Sequence, residues 1–194
     1  MAIVSTRPTI ALIRTRWRKK GARSIAERAS VIGANLWKIA VGIFKHLETE
    51  GFRFPSDRLA TAVIAEFAVF LIHLVDRGVY GLLKEDERAE MVGAVAGHVA
   101  SAMEDNQRDL LGPGDYRAAF VALLNKRAGE YAEFEFQGGE PGYSCLRYFA
   151  GSVAEAVAEV GDKWLLEQIL DIEAPEMLRL VKKLVDEVAP AEPA

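Results

Sequence analysis

The sequence predicts an all-α protein, a single domain of about seven helices arrayed or bundled around a buried central helix at 57–77. Three observations carry this expectation. Asp57 to Arg77 reads DRLATAVIAEFAVFLIHLVDR, and its apolar residues point in every direction around a helical wheel. A helix that is apolar all round is either a membrane span or the central rod of a large helical core. The flanking segments repeat apolar residues every three or four positions, and the one alternating stretch, Phe134-Glu-Phe136, is too short for a convincing strand. With 194 residues, 51% of them apolar, the chain can fill one sizeable core.

The central stretch favours protein over lipid as its surroundings. Glu66 and His73 lie inside it, and an ionisable group in mid-bilayer costs about 2.5–3.5 kcal/mol on insertion scales. No transmembrane span is therefore expected. The short apolar run Ile10–Ile13 lies between arginines and does not read as a secretory signal. A single cysteine, Cys145, excludes an internal disulfide framework and fits a reducing compartment. The expected location is cytoplasmic.

The elements follow in order. Residues 1–23 form a basic N-terminal arm, and residues 1–28 carry eight Lys or Arg against the single Glu27. Net charge over the whole chain is only −4, so this arm sits on an acidic body. Ser24, with Glu27 three residues on, makes a capping box for a first helix running to about Glu50. Its stripe is Ile32, Leu36, Ile39, Ile43 and Leu47, and Gly51 stops it. Ser56 or Asp57 caps the central helix, which Gly78 and Gly81 should end or kink.

A third helix begins near Glu85 with an acidic first turn, favourable against the helix dipole. Its small residues Gly93, Ala94, Gly97, Ala100 and Ser101 would admit a close neighbour. Leu111-Gly-Pro-Gly114 breaks the chain, and Asp115 caps a fourth helix to about Glu133. The stretch Gln137–Gly142 reads as a loop before a fifth helix, from Ser144 to about Val160. A sixth is expected from Asp162 to Asp171, and a seventh from Pro175 to Val188. The all-helical domain thus covers 24–188, and 189–194 reads as a flexible tail.

Few residues point to chemistry. Glu66, His73 and Asp76 fall on one stripe of the central helix and could supply part of a metal site, as inward-facing carboxylates and histidines do in carboxylate-bridged bundles. No Glu-x-x-His pair accompanies them, so on their own they are weak metal candidates. The plainer reading is a buried polar network, because isolated buried charges are too costly and must pair. Arg127, set in the apolar stripe of the fourth helix, is the expected partner of Glu66 or Asp76. Tyr131 lies one turn beyond Arg127, so the pair could hold a small anion. More simply, Tyr131 would anchor the core with its hydroxyl on a carboxylate.

Cys145 opens the fifth helix near Arg147, but no base stands near it in sequence, so it reads as a small buried hydrophobe. In the arm, Arg14, Arg16, Trp17, Arg18, Lys19 and Lys20 combine charge with one aromatic ring. They could contact nucleic acid or an anionic membrane within residues 7–28, or an acidic partner protein. No nucleotide-binding, zinc or nucleophile-elbow motif is present, and no cofactor is implied.

The leading expectation is a small interaction or regulatory protein of bacterial style, acting through surfaces rather than catalysis. It would bind a protein partner or a second copy of itself. The alternatives are a metal- or small-anion-binding helical enzyme or sensor using Glu66, His73, Asp76 and Arg127, and a peripheral binder of nucleic acid or anionic membrane through the arm.

Overall fold

The computed structural model describes residues 8, 10–12, 24–158 and 164–188. The basic cluster Arg14, Arg16, Trp17, Arg18, Lys19 and Lys20 and the tail 189–194 lie outside the described residues. Among those described, the fold is all-α, with six helices and one two-residue-per-strand hairpin.

Helix α1 spans Ile25–Thr49, and Ser24 caps it: the Ser24 hydroxyl accepts from Glu27 N–H while Glu27 reaches back to Ser24 N–H. Helix α2 spans Asp57–Val79, capped by the Ser56 hydroxyl on Leu59 N–H. Helices α3, Glu85–Leu111, and α4, Tyr116–Tyr131, are joined by the Gly-Pro-Gly turn. Helix α5 spans Tyr143–Ala156. Two expectations about the elements change.

The first change is the hairpin. Phe136–Gln137 pairs antiparallel with Glu140–Pro141, where a plain loop was expected. Its two-residue turn is Gly138-Gly139, at φ 61° and 84°. A two-residue hairpin favours positive φ at both central positions, which glycine supplies without steric cost.

The second is the helix count. The sixth and seventh expected helices are one continuous element, α6, running through Leu165–Gln168, a π-helical turn Ile169–Glu173 and Ala174–Val188. Pro175 explains both the expectation and its failure. Its ring clashes with the carbonyl four residues back and it donates no hydrogen bond. Widening the preceding turn to π geometry lets the helix continue through it.

Helix α2 packs against α1, α3, α4, α5 and the C-terminal part of α6, which makes it the axis of the molecule. Every residue from Val63 to Ile72 is buried. This helix is long and apolar enough to cross a bilayer, yet 72% of its most apolar window is buried inside the protein. Helix α1 lies closely along α3. A Cβ on Gly33 would stand 2.7 Å from the His98 Cβ, so the approach needs glycine there. The small residues Gly93 and Gly97 of α3, expected to make the close contact, face open space instead.

Candidate functional site

Glu66 projects from the middle of α2 toward α4, whose inner face carries Phe120, Arg127 and Tyr131. Arg127 Nη2 donates to Glu66 Oε1 at 2.7 Å and Nε donates to Oε2 at 3.0 Å, a two-point clamp. The remaining nitrogen, Nη1, donates to Glu130 Oε2 and to the Tyr148 hydroxyl, each at 3.0 Å. Both central side chains are closed off, at 6% and 5% exposure.

Burial works against the Arg127 charge, but the hydrogen bonds and negative charge of Glu66, with help from Glu130, more than offset it and hold its pKa above the ordinary value. Glu130 is also opposed by burial. Hydrogen bonds from Tyr148 and Arg127 outweigh that and lower its pKa. The result is a hydrogen-bonded knot of three helices, α2, α4 and α5, in which two carboxylates share one guanidinium.

The other members of the expected network are dispersed. Asp76 pairs with Arg88 of α3 rather than with Arg127, at a partly exposed position. Ten residues along a helix carry it about 80° around the axis and about 15 Å along it from Glu66, enough to face a different neighbour. His73 goes a third way. Its ring stacks on Tyr131 at 5.0 Å and meets the Phe136 edge at 5.3 Å. Burial, reinforced by the positive charge of Arg77, lowers its pKa to about 4. His73 is thus neutral at pH 7, and its buried Nε2 has no hydrogen-bond partner among the described residues.

Tyr131 is fully buried, and its hydroxyl likewise finds no partner, contrary to the expected bond to a carboxylate. Its pKa is raised by burial and by the nearby Glu66 charge. The Glu66, His73 and Asp76 stripe therefore does not converge. No group of three or more His, Cys, Asp or Glu able to hold a metal occurs among the described residues. Cys145 is buried, and burial pushes its thiol up to about 11, away from reactivity.

Two features escaped the sequence reading. One is a second buried carboxylate. Glu173, in the π turn, is fully buried, with Oε1 2.7 Å from His46 Nδ1 and accepting from Gln168 Nε2 at 2.9 Å. Its other oxygen has no hydrogen-bond partner among the described residues, and neither does His46 Nε2, which stands 3.5 Å from Glu50 Oε1. Burial raises the Glu173 pKa despite the hydrogen bonds from Gln168 and His46. The available signal was register: Glu173 shares a helical stripe with Ile169, Met177 and Leu180, much as Arg127 shares one with Phe120 and Tyr131.

The other is a groove of about 830 Å³ between α1, α3 and residues 10–11. Ala34, Trp37 and Val41 form its α1 wall, Ala102 faces them from α3, and Ile10 lies across Gly42. The α1 wall is a second apolar stripe, at spacings of three and four, beside the stripe that enters the core. No protein-family model matches the chain, and no curated protein or solved structure matches it.

Proposed function

We propose that the protein is a non-catalytic binding module that holds a small, largely apolar molecule in the groove between α1 and α3. The observation that carries this reading is a separation. The Glu66 and Arg127 side chains are closed off in the core, where each offsets the other's charge. The open concavity lies elsewhere, with apolar walls at Trp37, Val41, Ala34 and Ile10 and with Lys38, Lys45 and His98 at its border. Acid–base or metal chemistry needs its groups within reach of a substrate. Recognition needs only a shaped apolar recess with a few polar groups at its edge, and about 300–1,000 Å³ is the usual size of such a site.

The test is a neutral apolar dye. Nile red titrated into the full chain is expected to brighten and saturate, with Trp37 within transfer distance. An Ala34→Phe variant, which fills the groove from an exposed wall position, is expected to remove that signal while leaving the melting temperature unchanged. Dye binding that survives Ala34→Phe would reject the groove as the site.

A further inference from the structure

The groove has a charge asymmetry that a purely apolar occupant would leave unused. Lys38 and Lys45 both border it from α1. Seven residues apart, they lie on one face of the helix about 10 Å from each other. His98 borders it from α3, so nitrogen donors approach from two sides. Among the described residues no carboxylate lines the groove, and neither lysine has an ion-pair partner. In a chain of net charge −4, the described rim of this apolar recess carries cationic or neutral side chains, a local field that favours an anion.

We infer that the occupant is a single-chain amphipathic anion, a fatty carboxylate whose hydrocarbon tail lies on Trp37 and Val41 while its head is met by Lys38 and Lys45. This inference rests on the groove reading and specifies its ligand class. The lysine stems suit the task, because a long aliphatic side chain can lie along an apolar tail while keeping its ammonium in water. The apolar wall would supply affinity through tail length. Each added methylene that stays in the groove is expected to tighten binding by up to about fourfold. The lysines would supply selection by charge, each exposed pair worth up to about fivefold.

The experiment is displacement of Nile red from the full chain at low ionic strength by dodecanoate, dodecanol and dodecyltrimethylammonium. Dodecanoate is expected to compete at about tenfold lower concentration than dodecanol, with the cationic amphiphile weakest. A Lys38→Met, Lys45→Met double variant keeps the apolar stems and is expected to erase the preference for carboxylate while leaving dodecanol competition unchanged.

Equal competition by dodecanoate and dodecanol in the wild-type chain would overturn the inference and leave the groove reading standing. Loss of the Nile red site itself would remove both. If dodecanoate competes only in a Trp17→Ala variant, the groove is a seat for the chain's own arm. If anionic phospholipid vesicles compete and free dodecanoate does not, the protein meets a membrane surface instead; either result overturns the inference.

Discussion

Two buried glutamates answer the same problem in opposite ways. Glu66, at the centre of α2, meets a guanidinium that matches its two oxygens with two donors, and the remaining nitrogen of that guanidinium is met by Glu130 and Tyr148. Glu173, in the π turn of α6, meets an imidazole and an amide on one oxygen and, among the described residues, no hydrogen-bond donor on the other. A buried charge is tolerable when its partner is a fixed, fully charged fork, and costly when compensation is partial. Glu66 is therefore a member of a closed structural unit, whereas Glu173 is an ionisable weak point at the joint between α1 and α6.

The largest expected effect comes from opening the compensated pair. Arg127→Met should cost about 3–5 kcal/mol, because it leaves the Glu66 carboxylate buried without its counter-charge. Urea denaturation at pH 7 measures this, and an unchanged midpoint would contradict the role assigned to the pair. Adding Glu66→Met to that variant should recover much of the loss, since both charges are then gone and the replaced volumes are apolar.

The next effect is set by His73, a neighbour of this unit that has no charge partner. Its folded-state pKa of about 4 lies below the ordinary histidine value of 6.5, so the unfolded chain binds the proton more readily. The stability this group contributes is present above pH 6.5 and is lost as pH falls toward 4. A loss of order 1–3 kcal/mol over that window is expected from the size of the shift at this half-buried site. A His73→Phe variant should flatten that part of the stability profile. If both proteins lose stability in parallel, the acid sensitivity belongs to another group.

Glu173 should behave with the opposite sign. Burial raises its pKa, so its folded form prefers the proton, and stability is lost as pH rises through that raised value. Glu173→Gln removes the charge and keeps an acceptor for His46 and Gln168. It should stabilise the protein at neutral pH by about 1–2 kcal/mol, the scale of one unsatisfied buried polar group. The gain should shrink as the solution is acidified. Destabilisation by Glu173→Gln at pH 7 would mean that the carboxylate is compensated after all.

The contrast also shows what sequence could and could not reveal. Fold class, the cap at Ser24, the central position of α2 and the Gly-Pro-Gly break all depend on short-range patterns, which the chain displays directly. The pairing of Glu66 with a residue 61 positions away was accessible for a related reason, because Arg127 interrupts an apolar stripe and must be satisfied. The fates of His73 and Asp76 were not, because a helical wheel gives direction but not which neighbour stands there. The joining of the last two helices was hidden because Pro175 ordinarily marks a start, and only the packed structure shows the π turn that absorbs it. The groove was hidden because its α1 wall is modest in hydrophobicity and interleaved with lysines.

The smallest expected effect separates Asp76 from the residues it was grouped with. Its partner Arg88 is also held by Glu85, through contacts at 2.8 and 3.1 Å, so removing the Asp76 charge does not leave a lone cation. Arg88 further leans over the exposed Tyr80 ring at 5.4 Å. The Asp76 and Arg88 side chains are 27% and 19% exposed, so water and salt can replace part of what is lost. Asp76→Asn should therefore cost no more than about 1 kcal/mol, and the cost should fall further in high salt. A loss comparable to that of Arg127→Met would show that the acidic stripe of α2 acts as one network. A small, salt-sensitive loss would confine the tightly coupled unit to Glu66, Arg127, Glu130 and Tyr148.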